Sequence, residues 1–204
     1  MVTIDAMGCQ RDIAQKIIDK KADYILALKG NQGTLRDDVA LFARDQKAVA
    51  FKNTSVSQDT TIDADHGRIE TRTVTVFHDV AWLQDHHQWP GLKSVVMVES
   101  QREATGKVEA ETRFYITSLT LLANALGPMI RSHWMIENGL HWVLDMVFRD
   151  DECRVRTDNA PFNLAIVKHI ALNVLRTGKT KDSLRMRRKV AAWDENALAA
   201  YIAA

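Results

Sequence analysis

Glu137 lies in the run His133-Trp134-Met135-Ile136-Glu137-Asn138-Gly139-Leu140-His141-Trp142. At helical spacing it shares a stripe with Ile130, Trp134, His141, Leu144 and Phe148, which predicts a carboxylate in the middle of an apolar face. An unpaired buried carboxylate is strongly destabilising. It therefore calls for a metal ion, a cationic side chain or a cleft lined with hydrogen-bond donors.

Three kinds of chemistry fit. Asp5 ends the short apolar run Val2-Thr3-Ile4, at the strand end where open α/β sheets place ligands. Asp5 and Glu137 together make a pair of oxygen donors for a hard divalent cation, the kind used in phosphodiester chemistry. Asp5 has a plainer reading as the cap of the turn that follows it. His133, Glu137 and His141 are spaced by four, unlike the His-Glu-x-x-His of zinc proteases. The two histidines would stand roughly 12 Å apart along a helix, which argues against one shared zinc ion. The remaining reading is a plain network of neighbour contacts among these three side chains.

The elements that must position these residues follow from periodicity. Val2–Ile4 and Tyr24–Leu28 read as buried strands flanking a helix over about 9–21, a βαβ unit with parallel strands. A helix over about 34–47 follows. From about residue 54 the pattern turns β-rich: Arg68–Phe77 alternates, Lys93–Glu99 and Arg113–Thr117 read as strands, and Glu103–Lys107 reads as a hairpin turn. Helices are expected over about 128–148 and 161–176, with a last one near Asn196. Two parallel strands alone would leave both sheet edges open. Either strands from the middle section join them, or the chain lacks its beginning.

Bulk properties exclude several classes. The 204 residues carry 27 basic and 26 acidic side chains, a net charge of +1, and are 46% apolar. No apolar run approaches a membrane span, no secretory signal opens the chain, and two cysteines are too few for a disulfide framework. A cytoplasmic location is the expectation. Seven basic residues against one acid lie between Arg176 and Lys189, a stretch able to hold phosphates or to form a solvated helix face. Lys29 and Asn31, after the second strand, could touch phosphate or simply form the turn. His66, Arg68 and Arg72 could bind DNA or line an exposed strand face. Trp134 could stack on a base or pack in the core.

The run His133-Trp134-Met135-Ile136-Glu137-Asn138-x-Leu140-His141-Trp142-x-Leu144-Asp145-x-x-Phe148-x-Asp150-Asp151 resembles the C-terminal signature of the H-repeat-associated group of insertion-sequence transposases. Thr3–Gln10, Asp23–Gln32 and His66-Gly67-Arg68-Ile69-Glu70-x-Arg72 resemble the same group, so the similarity runs along essentially the whole chain.

The resemblance implies an α/β fold: a partial ribonuclease H-like core (1–53 and 118–204) with a β-rich insertion (54–117) and C-terminal helices. It implies DNA transposition by metal-dependent strand cleavage and transfer, with DNA as partner and self-association in the intact enzyme. Asp5 would be the second acid of a DDE triad and Glu137 the third, both binding Mg2+ or Mn2+. Related enzymes surround the last acid with tyrosine, arginine and lysine. Here Ile130, His133 and Leu144 occupy those places, so phosphate contacts would fall to Arg131 and His133, beside Trp134. Nothing in the chain matches the first catalytic aspartate or an N-terminal DNA-binding region. The expectation is a truncated, inactive copy. The alternative is a fragment that binds DNA or itself without chemistry.

Overall fold

The computed structural model describes residues 1–65, 68–104 and 106–203. The chain forms two compact units, Met1–His133 and Trp134–Ala204.

In the first unit, β1 (Val2–Ile4) and β2 (Tyr24–Leu28) flank α1 (Arg11–Asp19) and pair in parallel, with Val2 opposite Tyr24 and Ile4 opposite Leu26. All five residues of β2 are buried, as expected of a strand covered on both faces. Helix α2 (Gly33–Ala48) follows. The question of how two parallel strands are completed is answered by the middle section. Strand β6 (Lys107–Thr117) pairs antiparallel with the other edge of β2, bringing Leu28 opposite Phe114.

Strands β3 (Val56–Asp65), β4 (Arg68–Phe77) and β5 (Ser94–Ala104) extend the sheet in the order β1-β2-β6-β5-β4-β3. The sheet is thus mixed: one parallel pair and four antiparallel pairs. The β5–β6 hairpin runs further than expected, and β3 was not expected. In β5–β6 the ladder continues to Ala104 opposite Lys107, and Gly106 takes a positive φ of 74° in the turn. His66, the first residue of the suggested DNA-contacting group, and Thr105 in this turn lie outside the described residues. Arg72 from that group bonds Glu70 at 2.5 Å, within its own strand face.

Strand alternation divides the core in two. Tyr24, Leu26 and Leu28 pack with Ala14 and Ile17 of α1, Leu35 and Val39 of α2, and Leu83 of a short helix, α3 (Ala81–His87). Ile25 and Ala27 pack with Val76, Val96 and Tyr115 against Ala123, Leu126 and Ile130 of α4 (Ala123–Ile136). Each face of the sheet therefore carries its own helices. Ser118 ties the centre: its Oγ accepts from the Tyr24 N–H at 3.0 Å and donates to Asp23 at 2.9 Å.

The helix expected over 128–148 is not continuous. Helix α4 starts a turn earlier, because the Ser57 hydroxyl accepts from the Ala123 N–H at 3.0 Å and caps it from another element. After Ile136 the backbone widens into a π-helical turn, Glu137–His141, before α5 (Trp142–Phe148). An inserted residue rotates every later side chain by about 100°. The expected stripe fails ahead of that turn as well as within it: Trp134, Glu137 and His141 are exposed, whereas Leu144 is buried.

The second unit continues with α6 (Ala160–Thr177), α7 (Leu184–Trp193) and α8 (Glu195–Ile202). Leu144, Val147, Leu172, Leu175 and Tyr201 are its buried apolar residues. Helix α7 carries part of the basic stretch, for which a solvated helix face was one of two readings; it starts at Ser183, whose Oγ accepts from the Met186 N–H. Among the described residues, no helix is long and apolar enough to cross a membrane.

Candidate functional site

Asp5 stands at the carboxyl end of β1, opening the one-turn helix Ala6–Gly8. Its side chain makes no standard capping bond deeper in that turn; its contact with the turn is with the Ala6 N–H at the first position. Lys29, at the carboxyl end of the neighbouring strand β2, places Nζ 3.2 Å from Asp5 Oδ1. Partial burial pushes the Asp5 carboxyl up. The Ala6 N–H, the Lys29 ammonium and the charge of His133 outweigh that and hold it below the ordinary carboxylate range. Asp5 is thus an ionised, half-exposed oxygen donor. That is the form a hard divalent cation takes.

The neighbouring polar residues are largely engaged with the protein. Asn31 Nδ2 donates to the Ala6 carbonyl at 2.6 Å, fixing the turn after Asp5. His133 Nδ1 lies 3.2 Å from Thr3 Oγ1, and its Nε2 is buried with no hydrogen-bond partner. Arg131 pairs with Asp63 of β3 at 2.5 Å. The structure therefore brings Asp5, Lys29, Asn31 and His133 to one sheet end and ties Arg131 to the β-rich segment. Trp134 is 42% exposed.

Glu137 lies in the second unit, in an open cleft of ≈ 340 Å³ lined by His141, Leu144, Asp145, Asp150 and Asp151. The π-helical turn presents Glu137 and His141 to it. Burial first, then the charges of Asp151 and Asp150, push the Asp145 carboxyl above its ordinary range. Lys168 of α6 contacts Asp150 and offsets part of this repulsion. Four carboxylates crowded in one cleft attract cations, and oxygen donors of this kind suit Mg2+ or Mn2+. Asp145, Asp150 and Asp151 belong to the same run of sequence as Glu137. Their spacing beyond Glu137 carried the signal, but the helical turn that gathers them did not show in the periodicity.

The basic stretch is partly consumed inside the unit. Arg187 donates to the carbonyls of Asp182 (3.0 Å), Leu175 (2.9 Å) and Thr180. Arg176 donates to the Gly139 carbonyl at the π-helical turn. Arg188 lies 5.8 Å from the Phe148 ring centroid. Lys179, Lys181, Arg185 and Lys189 remain exposed.

A further cluster was not anticipated. Asp38 of α2 meets His86 and His87 of α3, in a segment whose helix was not read from the sequence.

Comparison with known proteins agrees with the motif. A model of the transposase DDE domain matches residues 1–174. The chain is 41% identical over 197 residues to "Putative transposase YncI" of Escherichia coli O157:H7, covering 94% of this chain and 50% of that protein. It is 37% identical over 209 residues to "H repeat-associated putative transposase YhhI" of Escherichia coli strain K12, covering 100% of this chain and 54% of that protein. No solved structure gives a significant match. The chain belongs to the DDE transposase family, in its H-repeat-associated group. It spans about half the length of the curated relatives it matches.

Proposed function

We propose that this chain supplies part of the catalytic domain of a DNA transposase, an enzyme that cuts and joins DNA strands with divalent cations. The carrying observation is Asp5: an ionised carboxylate at a strand end, within the matched DDE domain. On this reading Asp5 is the second acid of the triad and Glu137 the third, and both hold Mg2+ or Mn2+. The oxygen chemistry at both positions fits such an ion. When bound, it would lower the barrier to attack on a phosphodiester and stabilise the leaving oxygen.

The chain's own residues do the rest. Lys29 neutralises Asp5 and offers a cation to a DNA phosphate near the strand end. Asn31 fixes the turn that aims Asp5. Arg131, His133 and Trp134 extend the DNA contact, Trp134 through its exposed ring. The fold on this reading is ribonuclease H-like, with residues 54–117 an insertion and 1–53 and 118–204 the core. The protein acts in the cytoplasm on transposon ends and target DNA, with self-association in the whole enzyme.

A plasmid nicking assay with Mn2+ tests the proposal. Nicking by the wild-type chain that disappears with Glu137→Gln supports it. DNA binding without nicking favours a non-catalytic DNA-binding module.

A further inference from the structure

Asp38, His86 and His87 lie in the first unit and take no part in the site proposed above. Their ligand atoms, one carboxylate oxygen and two imidazole nitrogens, all fall within 4.8 Å of one another. His87 Nε2 is already 2.8 Å from Asp38 Oδ2, and the two imidazole rings have centroids 5.1 Å apart. We propose that Asp38, His86 and His87 form a binding site for a zinc-class divalent metal ion, bridging α2 and α3.

Donor type selects the ion. Two imidazoles with one carboxylate suit zinc and the later first-row metals, whereas Mg2+ prefers an all-oxygen shell. A tetrahedral zinc ion with bonds of about 2.0–2.1 Å sets its donor atoms about 3.3 Å apart. The pair Asp38–His87 is inside that spacing, and the exposed His86 ring can turn to complete the set. Three protein donors leave a fourth position for water.

The backbone carrying the histidines is held firmly. Arg11 donates to the carbonyls of His87 (2.6 Å) and Gln88 (3.1 Å), and its guanidinium lies 5.2 Å from the centroid of the fully buried Trp89. Gln88 adopts a left-handed conformation that ends α3 directly after His87. The helix therefore stops where both imidazoles face the same neighbour. A bound ion would staple α3 to α2 on one face of the sheet. Without an ion, the Asp38–His87 hydrogen bond makes a weaker link between the same helices.

Titration calorimetry of the chelator-stripped protein with zinc chloride tests this, with visible absorption of the Co2+ form as a second readout. The expected result is a saturable zinc site, a melting temperature raised by zinc, and little competition at that site from Mg2+. His86→Ala removes an exposed side chain, so its fold should match wild type by circular dichroism. Its zinc affinity should drop by at least about tenfold, with loss of the Co2+ absorption. A double variant, Asp5→Asn with Glu137→Gln, should keep zinc binding intact. The proposal is overturned if the wild-type chain takes up no zinc, if His86→Ala binds zinc as tightly as wild type, or if the double variant loses it.

Discussion

Lys29 Nζ lies 3.2 Å from Asp5 Oδ1, each side chain at the carboxyl end of one of two neighbouring parallel strands. The pairing follows from the βαβ start, since parallel neighbours end on the same side of the sheet. With the Ala6 N–H, it helps to hold the Asp5 carboxyl below its ordinary range.

Lys29→Met should raise the Asp5 carboxyl toward its ordinary value, read as a shifted midpoint in a 13C carboxyl titration. The sign for stability follows. A depressed folded-state pKa gives stabilisation that is present above the unfolded value of 3.8 and lost as pH falls through the folded value. Both side chains are about half exposed, so the variant should lower stability at pH 7 by no more than about 0.5 kcal/mol. The difference should fade in acid below pH 3.8. An unchanged midpoint would show that the contact does not hold in solution.

Ser118→Ala should be far more damaging than its size suggests. It leaves the buried Tyr24 N–H without its acceptor and the Asp23 carboxylate without a donor. Loss of about 1–3 kcal/mol is expected in urea unfolding. A midpoint within error of wild type would mean that water replaces the hydroxyl.

Gly91 sits at φ 69°, and a Cβ built there would meet Ile18 Cδ1 at 2.7 Å and Cγ1 at 2.9 Å. Gly91→Ala should therefore combine backbone strain with crowding of α1 and lower stability by about 1–3 kcal/mol. Thermal melting gives the answer. A neutral result would require the turn after Pro90 to relax freely, against the Tyr24 hydroxyl bond to the Pro90 carbonyl at 2.7 Å.

Burial pushes the Cys9 thiol up to about 12, while Cys153 is only partly covered. Only thiolate reacts with Ellman's reagent. At pH 8 the native chain should release colour from Cys153 alone, and from both thiols in guanidinium. Two fast equivalents in the native protein would contradict the packing around Cys9.

Much of this fold was readable where side-chain patterning alone decides structure. Strands β1, β2 and β4 match their expected limits because their alternation or continuous apolar character is uninterrupted. Strand β3 was missed: Val56–Asp65 is mostly polar and lies at the sheet edge, and Gln58 and Thr60 interrupt the face that carries Val56, Ile62 and Ala64. Helix α3 is only seven residues long, too short for a periodic signal. The start of α4 depends on the Ser57 hydroxyl, 66 residues away. A contact at that separation leaves no local trace.

At the candidate site, Asp5 was legible from strand geometry, whereas the placement of Glu137 came from a motif whose physical rationale failed. The stripe predicted burial, but the carboxylate is exposed, as is Trp134 one turn before it. The packing argument that singled out Glu137 does not hold. The four-acid cleft and the Asp38–His86–His87 cluster both needed tertiary structure to appear.

Manganese binding followed by electron paramagnetic resonance tests the central claim most directly, using wild type, Asp5→Asn and Glu137→Gln. If both acids hold the cation, each substitution should weaken Mn2+ binding by about tenfold or more, with circular dichroism unchanged. Either variant binding Mn2+ as tightly as wild type would contradict the account.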